Sequence, residues 1–93
     1  MVYHVYMLKS VGKKPVTYVG YTKNLKNRIK DHNNSKGAKY TRGKKWILIY
    51  KKKYQTQSLA MKNEYKLKNN RKLRYAIKYN FINKNENFNF TSL

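Results

Sequence analysis

At 93 residues, the chain is long enough for one domain with a modest core and too short for two. Its 23 Lys and Arg residues stand against only 3 acidic residues, and the net charge of +20 indicates that a polyanion such as nucleic acid is the normal partner. With no Cys, two His and no apolar run near the ~20 residues of a membrane span, the composition excludes disulfides, a zinc cluster and a membrane helix, and we expect a soluble, cytoplasmic protein.

Two short strands joined by a tight turn are predicted at the start of the chain. Residues 2–8 alternate and are rich in the β-forming residues Val and Tyr, which predicts a strand, and residues 16–21 predict a second one. The link between them contains Gly12 and Pro15, which are typical turn residues. Because the link is short, we expect an antiparallel hairpin.

An amphipathic helix is predicted directly after the hairpin, with Thr22 or Asn24 as its N-cap. Two apolar and two cationic side chains recur on one face at i, i+3, i+4 and i+7: Leu25, Arg28, Ile29 and His32. We expect the apolar pair to dock on the sheet. Arg28 and His32, one turn apart, should then point towards the same rim.

The second half of the chain is predicted to contain a loop, one strand and two helices. Residues 33–45 hold two Gly and five Lys or Arg, which predicts a mobile basic loop, and residues 46–54 predict a third strand. Thr56 is placed to cap a helix that runs to about Asn69, and Asn70 is placed to cap another. Their inward faces are predicted to be Leu59, Ala60, Asn63, Glu64 and Leu67 on the first helix and Leu73, Ala76, Ile77 and Phe81 on the second.

The predicted elements follow one another in the order β-β-α-β-α-α. We expect an α+β fold in which a three-stranded, mostly antiparallel sheet is flanked by helices. Residues 1–82 would form the domain. Residues 83–93 are rich in Asn and low in complexity, and this tail is expected to fray.

Glu64 is the most informative acidic residue. A carboxylate on the sheet-facing stripe of a helix, in a chain that otherwise avoids acids, needs a cationic partner or a metal ion. The sequence leaves both open: an ion pair with Arg28 or with a surface Lys, or a bound Mg²⁺ or Mn²⁺. Since the chain offers only one obvious acid for a metal, it favours one ion over a two-metal site.

Side chains able to handle a phosphate are predicted around the second strand and the first helix. Arg28 can make a bidentate contact to a phosphate, and His32 can orient or protonate a reacting group. Tyr6 and Tyr18 lie on neighbouring strands, and although a phenol with an ordinary pKa of ~10 is a poor base, nearby cations favour the phenolate. Each of these side chains could instead have a purely structural role. The Tyr residues could pack in the core, Arg28 could be a solvated helix charge, and His32 could be a neighbour of the core.

The turn after the second strand and the loop at 33–45 supply further cations, with one aromatic residue among them. This pattern suits contacts to a nucleic-acid backbone, and a solvated basic loop is the alternative. The candidates are Lys23, Lys36, Lys39, Tyr40, Arg42, Lys44 and Lys45.

The order of these residues resembles the GIY-YIG nuclease superfamily over roughly residues 3–80. The first signature tripeptide matches as His4-Val5-Tyr6, where His and Val replace Gly and Ile, and the second matches as Tyr18-Val19-Gly20. The Arg, His and Glu that follow match as Arg28, His32 and Glu64. The segment from Gly37 to Arg42 resembles the loop of small stand-alone bacterial members and of the related structure-specific endonuclease subunit of eukaryotes.

The resemblance implies a one-metal hydrolysis of phosphodiester bonds with Mg²⁺ or Mn²⁺. Tyr18 would be the base that activates water, Arg28 would steady the phosphate and Glu64 would hold the ion, with Tyr6 and His32 in support. We therefore expect an endonuclease that cuts DNA with little base specificity. We further expect a preference for branched or flapped structures and a role in repair or recombination.

Two other functions stay open at this point. One is a non-catalytic basic module, associated with the nucleoid or the ribosome, in which the same cations only coat a nucleic acid. The other is an RNA-processing nuclease, because nothing in the chain visibly discriminates a 2′-hydroxyl. The sequence is equally compatible with a monomer and a homodimer.

Overall fold

The computed structural model describes the backbone of residues 2–91 and the side chains of residues 2–84. Within residues 2–91, three strands and three α-helices follow each other in the predicted order, with a 3-10 turn before the third strand: β1 Tyr3–Ser10, β2 Thr17–Thr22, α1 Leu25–Asn33, the 3-10 turn Lys39–Thr41, β3 Trp46–Tyr54, α2 Gln57–Lys68 and α3 Arg71–Thr91. The α+β fold predicted from the sequence is confirmed. No helix in the described part of the chain is both long and apolar enough to cross a membrane.

The sheet has the strand order β2-β1-β3, and both pairings are antiparallel. The first strand is therefore central, and β2 and β3 are the edges. A bulge interrupts the pairing of β1 with β3, since Met7 pairs with Tyr50 while Leu8 pairs with Leu48.

Alternation along β1 divides the core into two layers. Val5 and Met7 face α2 and α3, where they pack with Val19, Ala60 and Leu67. On the opposite face, a second cluster forms beneath α1 from Tyr6, Leu8, Trp46, Leu25 and Ile29. The expected docking of Leu25 and Ile29 is confirmed, and the residues that matter below lie on the α1 side.

Side-chain caps begin all three helices. Asn24 accepts a hydrogen bond from Asn27 N–H, so it, and not Thr22, is the N-cap of α1. Thr56 caps α2 by accepting from Leu59 N–H, and Asn70 accepts from Leu73 N–H at the start of α3. The last two caps were predicted correctly.

The predicted inward faces of α2 and α3 are partly wrong. Leu59 is 47% exposed and Leu73 44%, and Ala76 is exposed as well. Because the sheet has only three strands, it is too narrow to cover the whole apolar stripe of either helix. Among the described side chains of α3, at residues 71–84, burial is confined to partly buried ones such as Ile77.

The third helix also differs from expectation at its C-terminal end. The sequence predicts a fraying tail from residue 83, but the helical backbone continues through Thr91. Because the anchored first turns have already met the cost of helix nucleation, the helix can extend into an Asn-rich stretch of low helix propensity. The division into a domain and a tail stays a prediction.

Candidate active site

Tyr6 reaches the outer edge of the sheet by passing over Gly20. It pairs with Gly20 across the β1–β2 ladder, and its ring leans over that residue. A Cβ atom at position 20 would lie 2.5 Å from the Tyr6 hydroxyl oxygen, far inside van der Waals contact. The absence of a side chain at Gly20 is therefore what brings the phenol of a central strand to the site.

His32 joins α1 to Tyr6 and to the loop that follows the helix. It is fully buried, with Nε2 2.8 Å from the Tyr6 hydroxyl and Nδ1 2.9 Å from Thr41 Oγ1. Thr41 donates its own hydroxyl proton to the carbonyl of Ala38 at 2.8 Å, so it must accept from His32. It follows that Nδ1 carries the His32 proton and that Tyr6 O–H donates to Nε2.

The ring of His32 stays neutral near neutral pH. Burial lowers its pKa, the Arg28 guanidinium lowers it further, and Asp31 acts in the opposite direction. A neutral ring with a fixed tautomer orients the Tyr6 hydroxyl. Since His32 has no exposed surface, the structure brings it into the site as a buried partner of Tyr6 and not as a group that touches substrate.

The Tyr6 hydroxyl keeps its proton over the whole physiological range. Burial raises the pKa of Tyr6 to about 12; nearby Arg28 lowers it, while Tyr18 and Glu64 raise it. A buried phenol that stays protonated is a hydrogen-bond donor and not a base. Of the two phenols, the chemistry leaves the half-buried Tyr18 as the one able to meet a solvent molecule.

Alkaline pH should destabilise the protein through Tyr6. Between its unfolded pKa of 10.0 and its folded pKa of about 12, the folded state retains a proton that the unfolded state releases. Raising the pH through this window therefore lowers the free energy of unfolding, by up to about 3 kcal/mol. In Tyr6→Phe this component is absent, while the titration of the many Lys is shared. Denaturant unfolding of both proteins between about pH 9 and 12 measures the difference, and identical pH dependence in the two would contradict it.

Arg28 lies against both phenols. Its partial burial acts to lower its pKa, but the Tyr6 and Tyr18 hydroxyls beside it outweigh this and raise the pKa. The guanidinium is thus held on the helix face next to the two hydroxyls, as the sequence predicts. A bidentate cation in this position is available to an anion that approaches Tyr18.

Tyr18 is surrounded by aromatic rings. Its centroid lies 4.9 Å from that of His32, 6.2 Å from that of Tyr40 and 6.4 Å from that of Trp46. The Tyr40 ring is nearly parallel to it, at 23°, and is 53% exposed. This packing fixes the orientation of the Tyr18 ring while it remains only half-buried.

Glu64 approaches the site from α2, on the other side of the sheet. Its negative charge is close enough to contribute to the raised pKa of Tyr6. Its side chain is 17% exposed and forms an ion pair with Lys68 at 3.3 Å. The cationic partner that the sequence left open is thus a Lys one helical turn away and not Arg28.

The metal-binding capacity of the site depends on one carboxylate. Across the side chains of residues 2–84, no group of three or more His, Asp or Glu converges. Mg²⁺ is commonly held by one or two carboxylates together with waters and substrate phosphates, and Glu64 fits that donor set. Lys68 is 50% exposed, so it is free to move aside when a divalent cation competes for the carboxylate.

The basic segment 33–45 is more ordered than the predicted mobile loop. Asn33 accepts from Trp46 N–H at 2.6 Å and donates to Trp46 C=O at 3.2 Å, while Trp46 Nε1–H donates to Thr41 C=O at 3.0 Å. Ser35 Oγ accepts from Gly43 N–H, where Gly43 has a positive φ of 77°. These bonds tie the segment to α1 and β3, and they place Tyr40 beside Tyr18.

The predicted nucleic-acid contacts are all exposed. In the segment, Lys44 lies 5.7 Å from the Tyr40 ring centroid, and the other four cations face solvent. These are Lys36, Lys39, Arg42 and Lys45. Lys23 lies over the ring of Tyr3, a member of the core cluster on the α2 side, and so points away from the phenol pair.

Sequence reasoning gave no role to two residues that hold the site together, Gly37 and Thr41. A Cβ atom at position 37 would collide with the His32 ring, and Thr41 determines the tautomer of that ring. No periodicity marks these positions. The resemblance of segment 37–42 to the loop of stand-alone nucleases was the available signal, but it carried no geometry.

Comparison with known proteins identifies the family of this domain. The model of the GIY-YIG catalytic domain matches residues 2–87. A UPF0213 protein of Oceanobacillus iheyensis is 42% identical over 67 residues, which cover 71% of this chain and 76% of that protein. A UPF0213 protein of Staphylococcus saprophyticus is 39% identical over 67 residues, covering 71% and 79%.

A solved structure has the same fold. The solution NMR structure of the UPF0213 protein BH0048 from Bacillus halodurans is 35% identical, covers 85% of each chain and superposes with a TM-score of 0.50. The domain match extends over nearly the whole chain, and it includes every residue of the phenol, guanidinium, imidazole and carboxylate cluster described above. The chain therefore belongs to the GIY-YIG family, among its small bacterial UPF0213 members.

Proposed function

We propose that this protein is a divalent-metal-dependent endonuclease that hydrolyses DNA phosphodiester bonds with little base specificity. The GIY-YIG catalytic domain is a nuclease domain, which implies a nucleic-acid substrate. The observation that carries the proposal is the packing of Arg28 against both phenols, with the charge of Glu64 acting on one of them, Tyr6. A phosphate on Arg28 would then lie near a proton acceptor, Tyr18, and a metal ligand, Glu64.

Each side chain has a role that follows from its exposure. Half-buried Tyr18, as the phenolate, takes the proton of the attacking water, whose oxygen forms a bond to phosphorus as the bond to the leaving ribose oxygen breaks. The ribose oxygen takes a proton from solvent. Arg28 neutralises charge on the phosphate oxygens. Tyr6 and His32 act through their neighbours and keep the arrangement in place. The proton passed to Tyr18 returns to solvent.

Nucleases of this family generally use divalent metal ions, and here Glu64 would hold one. When bound, Mg²⁺ or Mn²⁺ would supply positive charge next to the phosphate oxygens and lower the barrier to displacement. The preference for branched or flapped DNA, and with it a role in repair or recombination, is supported only by the resemblance of segment 37–42 to structure-specific nucleases.

The Glu64–Lys68 ion pair favours a second candidate function. A carboxylate already satisfied by a Lys has no need of a metal, and a basic module that only binds nucleic acid would then account for the net charge of +20. An RNA-processing nuclease is the third candidate. The three functions differ in whether cleavage occurs and on which backbone.

Metal removal separates the three. A labelled panel of single strand, duplex, flap, four-way junction and RNA hairpin is incubated with Mg²⁺, with Mn²⁺ or with EDTA. We expect cleavage of DNA with either metal and none in EDTA, while binding persists in all three conditions. If every substrate is bound and none is cut with either metal, the binding module is correct; if only the RNA hairpin is cut, the RNA-processing nuclease is.

A further inference from the structure

A cationic cavity lies on the sheet face opposite the phenol pair. Its volume is about 130 Å³, and its lining combines one residue of β2 with four of α3: Thr17, Arg71, Arg74, Tyr75 and Lys78. Because successive side chains of a strand point to opposite faces, Thr17 lies on the α3 side of β2 while Tyr18 lies on the α1 side. The volume is several times the ~30 Å³ of a water molecule, so a phosphate group fits.

Arg74 indicates that this cavity is prepared for an anion. Its Nε atom is buried and has no hydrogen-bond partner among the side chains that the structure describes. An unsatisfied buried donor is costly, and more so when it belongs to a charged group. Lys78 donates to the Pro15 carbonyl at 2.8 Å, which holds its ammonium at the cavity wall. A phosphate oxygen would accept a hydrogen bond from Arg74 Nε–H, and the phosphate would neutralise the guanidinium charge.

Two exposed tyrosines continue the same helix face. Tyr75 and Tyr79 are stacked, with centroids 5.6 Å apart and planes inclined by 18°, and they are 63% and 51% exposed. Together with the cations they occupy i, i+3, i+4, i+7 and i+8 of α3, so one face presents cations and aromatic rings side by side. Exposed rings next to cations are the combination on which unpaired bases stack while their phosphates are neutralised.

We propose that this α3 face is a second binding site, specific for single-stranded nucleic acid, with a phosphate in the Arg71–Arg74–Lys78 cavity and bases stacked on Tyr75 and Tyr79. A duplex cannot stack on Tyr75 and Tyr79, because its bases are already paired and stacked on one another. Since β2 is an edge strand, a single strand can pass around that edge from Tyr18 to Thr17. Only this continuity with the active site rests on the proposed nuclease function; the binding itself does not.

The test measures binding with cleavage switched off. Fluorescence anisotropy in EDTA gives the affinity for an oligothymidylate of about 12 nucleotides and for a duplex of the same length. We expect Tyr75→Ala to weaken single-strand binding about tenfold and duplex binding less than about twofold. Arg71→Ala should reduce the salt dependence of single-strand binding by about 0.7 in the log–log slope, as expected for one lost phosphate contact.

Lys62→Ala is the matched control, since it removes one exposed charge from α2, outside this face. Both test residues are exposed, so the variants should fold, and circular dichroism verifies this. If Tyr75→Ala and Arg71→Ala bind like Lys62→Ala, the proposal is overturned. It is also overturned if Arg71→Ala weakens single strand, duplex and polyphosphate equally while Tyr75→Ala weakens none. Loss in both test variants supports the site whether or not the protein cleaves DNA.

Discussion

Glu64→Gln is expected to lower kcat for DNA cleavage by about 10³-fold or more while leaving the affinity for DNA nearly unchanged. The amide keeps the size of the side chain but is a much weaker metal ligand, and a bound divalent ion stabilises transition-state charge by several kcal/mol. The substitution also removes the partner of Lys68, but that ammonium is half-exposed and remains solvated. Folding should therefore be little affected.

Asp31→Asn is the matched control for Glu64→Gln. It makes the same carboxylate-to-amide change on α1 and adds the same increment to the net charge, so general electrostatic effects on DNA binding are shared. Single-turnover cleavage with Mg²⁺ and with Mn²⁺ gives the rates, and anisotropy gives the affinities. A Glu64→Gln protein that cuts within a few-fold of wild type would show that the carboxylate serves only as the ion-pair partner of Lys68.

Tyr18→Phe is expected to lower kcat by about 10² to 10⁴-fold, the usual contribution of a positioned general base. The ring remains, so its packing with Tyr40, Trp46 and His32 is preserved and only the hydroxyl is lost. The KM for DNA should change little, because the substitution leaves Arg28 and the exposed Lys residues available to phosphates.

Tyr21→Phe provides the comparison for Tyr18→Phe. It deletes the same atom from the same strand, but Tyr21 packs with the cluster on the α2 side, where its hydroxyl accepts from Gln57. Cleavage rates measured across pH should be close to wild type for Tyr21→Phe and strongly reduced for Tyr18→Phe. Equal, small losses of cleavage rate in the two variants would show that Tyr18 serves in packing and is not the general base.

The sequence by itself determined the elements of the fold, because those signals are local. Alternation along residues 2–8 predicted a strand, and the caps Thr56 and Asn70 each satisfy a backbone donor only three residues away. The order of Tyr6, Tyr18, Arg28, His32 and Glu64 was sufficient to identify the family. Such features depend on spacing along the chain, which the sequence states directly.

Only the tertiary structure decided which of these side chains are buried and which reach solvent. Tyr6 and His32 are buried because Gly20 and Gly37 leave room for their rings, and Thr41 sets the tautomer of His32. The exposure of Leu73 and Ala76 likewise depends on how much of α3 a narrow sheet can cover. Burial and close approach are properties of side chains that meet from distant positions, so composition, periodicity and spacing along the chain cannot specify them.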